Sequence, residues 1–216
     1  MSTPPLISWV ERHFSVALPF ARFARNIALL SLAGLVPVLA LYVALSPGLW
    51  SLLAGFDDAR SRFLRQIVTN GLPVVFVVNA ISLILLAQMR AARISWGRAL
   101  VIDIPARLGI FIGLHLVIYP ASALAFGSFG GDPAQALRVV FPTLAQSAGF
   151  VNLSGVYLYA TLASALPLHM ALVSMALRGQ GKAQISLPFL ASAALGIFAA
   201  QALLLTLVAV LLGARL

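Results

Sequence analysis

Long runs of apolar residues, separated by short polar segments, dominate the chain. A run of about 20 apolar residues is long enough to cross a bilayer as a helix, and charged residues mark the ends of such runs. The pattern predicts an all-α, polytopic transmembrane bundle of about five spans. Their approximate bounds are 27–45, 71–89, 107–126, 153–177 and 188–212. Residues 27–216 are therefore expected to form a single transmembrane domain.

The segment 1–26 has a different pattern, because its apolar residues and its polar residues each recur at helical spacing. Leu6, Val10 and Phe14 lie on one face, and Glu11 and Ser15 lie on the other. This arrangement predicts an amphipathic helix in the membrane interface, followed by a basic flank. Its expected role is to anchor or orient the bundle, and the alternative is a docking surface for a partner.

Two segments between the spans are expected to form short helices. Asp57 and Asp58 supply capping groups for a surface helix before the second span, and Asp58 is spaced to pair with Arg62. Before the fourth span, Asp132 followed by Pro133 is typical of a helix start. The resulting helix, residues 133–150, is predicted to be interfacial or re-entrant. A proline at position 142 is expected to bend or end it.

The composition supports a membrane environment. Hydrophobic residues make up 62% of the chain and charged residues only 9%, whereas about a quarter of a soluble domain is charged. The net charge of +9 comes from basic residues at the ends of the apolar runs, which topology and anionic headgroups explain without nucleic acid. The chain has no cysteine, which excludes disulfides, thiolate metal sites and cysteine nucleophiles.

The distribution of basic residues favours a cytoplasmic N-terminus. With five spans, eight basic residues fall on the cytoplasmic side: Arg12, Arg22, Arg25, Arg90, Arg93, Arg98, Arg178 and Lys182. Five fall outside: Arg60, Arg62, Arg65, Arg138 and Arg215. The preference for arginine over lysine suggests a bacterial source, so the expected location is the bacterial inner membrane.

Ionisable residues accompany the third apolar run. Asp103 and Arg107 are four residues apart, which predicts a local ion pair at the cytoplasmic entrance of the helix, or alternatively a charged gate. A histidine facing lipid would be costly, so His115 predicts that the third span lies at the centre of the bundle.

Small residues predict helix-packing faces on two spans. Gly109 and Gly113 form a GxxxG pattern in the third, and Ser192, Gly196 and Ala200 recur at every fourth position in the fifth.

The fourth span carries a polar stripe of Ser154, Tyr157, Thr161 and Ser164. Such residues mostly make hydrogen bonds between membrane helices, and the alternative is a wet lining for a small solute. Asn79 and Ser82 of the second span are predicted to face the same interior. A proline at position 167 is expected to kink the fourth helix.

Two membrane histidines raise the question of a cofactor. If Arg107 and Arg178 mark the inner boundary, His115 and His169 lie at similar depth on neighbouring spans. The main interpretation is that both are structural, and the alternative is a b-type haem or a quinone held by the pair. No cluster of further ligands indicates a metal site.

The leading functional expectation is a non-catalytic membrane protein, because no HExxH, GxSxG or P-loop pattern occurs. It would act as an accessory, assembly or scaffold subunit in contact with the lipid bilayer and with other membrane subunits or copies of itself, without a cofactor. The first alternative is a transporter or channel for a small or anionic solute. Its path would run between the third and fourth spans, lined by Arg107, His115, Tyr157, Thr161 and Ser164. The second alternative is a redox subunit with haem or quinone.

Overall fold

A computed structural model of the chain describes residues 19–169. This part is all-helical and contains no strand. Its helices are α1 (Phe20–Leu45), α2 (Leu49–Gly55), α3 (Asp57–Gln66), α4 (Leu72–Ala91), α5 (Trp96–Phe126), α6 (Pro133–Ala148) and α7 (Leu153–Ala163). A π-helical turn, Ile67–Gly71, joins α3 to α4, and a 3-10 turn, Ser128–Gly131, follows α5.

Three helical segments are long and apolar enough to cross a membrane: Phe20–Leu45, Asp57–Leu86 and Gly97–Phe126. A fourth candidate is the bent pair made by α6 and the chain from Leu153 to His169. The described residues therefore supply three to four candidate spans of a helical membrane protein. The predicted fifth span, 188–212, and most of the predicted interfacial helix lie outside the described residues.

The first helix begins earlier than the pattern predicts. α1 starts at Phe20 and continues without a break through residue 27, where the first span was expected to begin. The basic flank of the segment 1–26 is thus part of the same helix as the first span. Asn26 is already buried there, whereas Arg25 is exposed.

The predicted surface helix before the second span corresponds to α2 and α3, but α3 continues through the π-helical turn into α4 as part of the candidate span Asp57–Leu86. The expected pair between Asp58 and Arg62 is wrong, because Arg62 Nε donates to the backbone carbonyl of Asp58 at 3.3 Å. The side chain of Asp57 pairs with Arg60 instead, with both groups exposed. Neither aspartate is the N-cap of α3, which is Phe56.

The third span also begins earlier than expected, at Trp96 rather than near Arg107. The expectation that it forms the centre of the bundle is wrong for the described residues. Only 17% of the residues in the 18-residue apolar stretch that identifies this span are buried. The most enclosed element is α7, in which every residue from Gly155 to Thr161 is buried.

The buried face of α5 follows a simple repeat. It consists of Ala99, Asp103, Arg107, Phe111, His115 and Ala123, which occur at intervals of four or eight residues. A step of four residues turns a helix of 3.6 residues per turn by about 40° beyond a full turn. This row of buried residues, which we call the buried ridge of α5, therefore winds around the helix. The helix packs against α4, α6 and α7.

The helix before the fourth span starts as predicted. Asp132 accepts a hydrogen bond from the Ala134 amide at 2.8 Å, and Pro133 is the first helical residue. Pro142 does not end the helix, because α6 continues through it to Ala148, and a bend at this residue stays a prediction. Pro142 and Arg138 both lie on the exposed side, where a carbonyl that loses its helical partner remains accessible.

The bend of 58° comes after α6, at the break before Leu153. Asn152 caps α7 by accepting from the Gly155 amide at 3.1 Å. The α7 helix ends at Ala163, four residues before Pro167. Residues 165–169 are helical again after a one-residue break at Ser164, so a kink caused by Pro167 stays a prediction.

Candidate functional site

The guanidinium of Arg107 is the centre of a buried polar network. Arg107 lies on α5 with 0% of its surface exposed, and its Nε donates to Asp103 Oδ2 at 2.7 Å. Its Nη1 donates to Asn79 Oδ1 on α4 at 2.8 Å. A buried charge must be paired and hydrogen-bonded to be tolerated in an apolar interior, and this geometry supplies both conditions.

The partners of Arg107 are themselves held by hydrogen bonds. Ser82 Oγ donates to Asp103 Oδ1, so both carboxylate oxygens of Asp103 are occupied. Asn79 Nδ2 donates to Ser31 Oγ at 3.1 Å, and this hydroxyl in turn donates to the carbonyl of Ile27 at 2.8 Å. The network thereby reaches α1.

Arg107 also forms a hydrogen bond with the C-terminal end of α7. Its Nη1 donates to the backbone carbonyl of Thr161 at 2.5 Å. The last carbonyls of a helix lack helical partners, and a cation at that end interacts favourably with the helix dipole. The neighbouring carbonyl of Ala160 receives the amide and the hydroxyl of Ser164, at 3.0 and 2.8 Å. Four helices, α1, α4, α5 and α7, thus meet at one ion pair.

One nitrogen of the Arg107 guanidinium takes no part in these hydrogen bonds. Within residues 19–169, Arg107 Nη2 is buried and has no hydrogen-bond partner. The Asp103–Arg107 pair as a whole carries no net charge.

A cavity of about 350 Å³ lies between the π-helical turn, α4, α5 and α7; we call it the His115 cavity. Its polar lining includes Thr69, Asn70, His115, Tyr119, Ser154 and Tyr157. His115 is buried, and its Nδ1 lies 2.8 Å from the carbonyl of Phe111. The Tyr157 hydroxyl donates to the carbonyl of Gln66 at 3.3 Å.

The structure divides the predicted site residues into two groups. Asp103, Arg107 and Thr161 join the buried network, whereas His115 and Tyr157 line the cavity. Asn79 and Ser82 face the same interior, as the sequence predicts. Thr161 takes part through its carbonyl, because its own hydroxyl donates to the carbonyl of Leu158 at 2.6 Å.

The residues predicted to line a transport path do not all border the same cavity: Arg107, Thr161 and Ser164 are not part of the lining of the His115 cavity. Phe111 is 1% exposed and lies between His115 and Arg107 on the buried ridge of α5. Its ring packs against the imidazole of His115 with centroids 4.3 Å apart. Ser164, the remaining predicted lining residue, is buried at the close contact of α7 with Gly34.

Pairing of His115 and His169 as ligands of a haem or a quinone stays a prediction. Among residues 19–169, no group of three or more His, Cys, Asp or Glu side chains is placed to hold a metal ion.

The close helix contacts use other glycines than the predicted ones. A Cβ on Gly109 or Gly113 would meet nothing within 4 Å among the described residues. A Cβ on Gly34 would lie 2.1 Å from Ser164 Oγ, and one on Gly71 would lie 2.2 Å from the Tyr157 ring. Packing through Gly109 and Gly113 stays a prediction, and Ser192, Gly196 and Ala200 lie outside the described part.

Sequence reasoning missed Ser31 and Gly34 in the first span. Ser31 is fully buried and is the link between the network and α1. The available signal was a hydroxyl three residues before a glycine in an otherwise apolar run, a pair of small residues on one helix face.

Three to four helices in the described part could cross a membrane, and they pack around a fully buried ion pair, which is consistent with a helical membrane protein. Comparison with known protein families, curated proteins and solved structures finds no match to this chain.

Proposed function

We propose that this chain is a non-catalytic integral membrane protein that acts as an accessory, assembly or scaffold subunit of a membrane complex. The observation that supports this proposal is the way in which its ionisable centre is enclosed and bound to neighbouring helices. Both oxygens of Asp103 are occupied, and Arg107 makes three hydrogen bonds that tie α5 to α4 and α7.

A residue that transfers protons or couples transport must exchange partners during its cycle. The Asp103–Arg107 pair is enclosed by four helices and is 0% exposed, so its hydrogen bonds serve to fix the helices relative to one another. A rigid bundle of this kind suits a protein that presents its outer surface to other membrane subunits.

The outer surface of α5 supports the same proposal. Val101 and Leu108 are exposed on one side of the helix, and Val117 and Leu124 are exposed on the opposite side, nearer its C-terminal end. Both apolar patches are available to lipid or to a neighbouring subunit. In this proposal the protein has five spans and lies in a bacterial inner membrane with its N-terminus in the cytoplasm. No cofactor is required for such a role.

The test is recovery of partners from native membranes. The tagged full-length chain is cross-linked in cells, extracted in a mild detergent and analysed by mass spectrometry, with an unrelated tagged membrane protein as the control. A membrane protein recovered in stoichiometric amount with this chain, and absent from the control, is the expected result. Recovery of this chain alone, as a monomer, would contradict the subunit role.

The His115 cavity favours a second candidate, a transporter or channel for a small solute. His115 and Tyr157 line the cavity, and in the described residues Arg107 does not reach it. Solute flux into liposomes that is lost in His115→Ala but retained in Tyr159→Phe would support this candidate. Tyr159 is a suitable control because it is on α7 but does not line the cavity.

An absorption spectrum of the purified protein tests the haem alternative, since bound haem gives a Soret band.

A further inference from the structure

We propose that the His115 cavity binds a neutral, mostly apolar molecule that carries a hydroxyl group. This inference does not depend on the subunit role, because it rests on the lining of the cavity alone. It concerns a site between α4, α5 and α7, separate from the Asp103–Arg107 network.

The size and lining of the cavity restrict the ligand. Its volume of about 350 Å³ is within the range of small-molecule sites in proteins, roughly 300–1,000 Å³. Pro73, Val77, Leu114 and Ile118 make much of the wall apolar, and no Asp, Glu, Lys or Arg of the described residues lines it. A charged ligand would lose its hydration there without gaining a counter-charge, so the ligand is neutral.

The imidazole of His115 indicates which polar group the ligand carries. The carbonyl of Phe111 can only accept, so the 2.8 Å contact places a proton on Nδ1. In the neutral ring Nε2 is then an acceptor, and among the described residues the only hydrogen bond of the His115 ring is the one at Nδ1. A hydroxyl group on the ligand is the donor that this nitrogen lacks.

The cavity wall is held in place by its own contacts. The π-helical turn Ile67–Gly71 contributes Thr69 and Asn70 to the lining, and turns of this kind are frequent at functional sites. The ring of Tyr157 packs so closely on Gly71 that no side chain fits between them, and its hydroxyl is bound to the carbonyl of Gln66. The cavity is thus largely formed before a ligand enters.

A pair of probes that differ in the hydroxyl group tests the proposal. The full-length protein in lipid nanodiscs is titrated by calorimetry with 1-naphthol and with 1-methylnaphthalene, and empty nanodiscs give the background. We expect saturable binding of 1-naphthol, about tenfold tighter than that of 1-methylnaphthalene, which is the effect of one hydrogen bond. Equal affinity for the two probes, or no binding above empty nanodiscs, would overturn the proposal.

Variants locate the binding in the cavity. His115→Phe removes the acceptor and should abolish the preference for 1-naphthol, and Ser154→Leu fills the cavity and should abolish binding of both probes. Tyr159→Phe, also on α7 but outside the cavity, should bind as the original protein does. The thermal midpoint of each variant shows that it is folded. A preference for 1-naphthol that persists in folded His115→Phe would refute the assigned role of Nε2.

Native mass spectrometry distinguishes two sources of the natural ligand. A hydroxyl-bearing lipid that stays bound through purification and is released by 1-naphthol identifies the bilayer as the source. Binding of 1-naphthol to protein that retains no lipid identifies a free solute. Each of these results supports the site, and a retained lipid that 1-naphthol does not displace counts against it.

Discussion

Arg107 Nη1 donates to the backbone carbonyl of Thr161 at 2.5 Å, across 54 residues of chain. The bond joins the middle of α5 to the C-terminal end of α7, where the helix breaks before Pro167. Because the same guanidinium also holds Asp103 and Asn79, the position of α7 depends on a charge carried by another helix.

Loss of this charge should be strongly destabilising. We expect Arg107→Met to lower the free energy of unfolding by about 3–5 kcal/mol, since it leaves the Asp103 carboxylate buried without its counter-charge. Unfolding of the purified protein in mixed micelles measures the change.

The matched control for this prediction is the double variant Asp103→Leu with Arg107→Met. Replacing both charges by apolar side chains removes the buried ions together, so the double variant should be more stable than Arg107→Met alone. If the double variant lost as much free energy of unfolding as Arg107→Met and Asp103→Leu lose together, the two charges would contribute to stability independently and not as an ion pair.

The contact between α1 and α7 should not tolerate a methyl group. Gly34→Ala places a Cβ 2.1 Å from Ser164 Oγ and 3.0 Å from the carbonyl of Ala160, so we expect a loss of about 1–3 kcal/mol. Gly109→Ala, where a Cβ meets nothing within 4 Å among the described residues, should leave the isolated protein within about 0.5 kcal/mol. Thermal midpoints of the two variants in the same detergent provide the comparison, and equal midpoints would contradict the packing at Gly34.

The N-cap of α7 should contribute more to the free energy of unfolding than the N-cap of α6. Asn152 accepts from the Gly155 amide and from Ser147 Oγ, and its Nδ2 donates to the carbonyl of Thr143 at 3.0 Å. We expect Asn152→Ala to cost about 1–3 kcal/mol, because it removes a cap and leaves partly buried groups without partners.

Asp132→Ala is the matched substitution at the other cap. It removes one exposed cap bond and should cost about 0.5–1 kcal/mol. Chemical denaturation of both variants would decide the order, and a larger loss for Asp132→Ala would refute it.

The absence of cysteine makes the proposed topology directly testable. Ser61 on α3 and Ser95 at the start of α5 are both exposed, and each can be replaced by cysteine. With a cytoplasmic N-terminus, Ser61→Cys should react with a membrane-impermeant maleimide in intact spheroplasts, and Ser95→Cys only after permeabilisation. Labelling of both in intact spheroplasts would show that α4 does not cross the membrane, and the opposite pattern would reverse the orientation.

The hydrophobic pattern predicted where helices lie more accurately than where they begin. It predicts the end of the third span at Phe126 correctly but its start near Arg107, because charged residues normally mark the ends of membrane spans. Asp103 and Arg107 neutralise each other and are enclosed by neighbouring helices, so α5 continues through them to Trp96. The same assumption leads to the prediction that His115 and His169 lie at similar depth.

The buried network was predictable only in part. The spacing of Asp103 and Arg107 indicates their ion pair, and the polar residues Asn79 and Ser82 stand out in an apolar run. The contribution of Thr161 could not be foreseen, since it is a backbone carbonyl released by the end of a helix and every residue has one.

Asp103 and Arg107 are four residues apart on one helix, so their opposite charges are together as soon as α5 coils. A lone charge at the centre of a newly inserting helix costs about 2.5–3.5 kcal/mol in the translocation channel. We therefore expect mutual neutralisation to let α5 enter lipid before α7 has been synthesised. The bond from Arg107 to the Thr161 carbonyl would then form last, so that the helices assemble in the order of their synthesis.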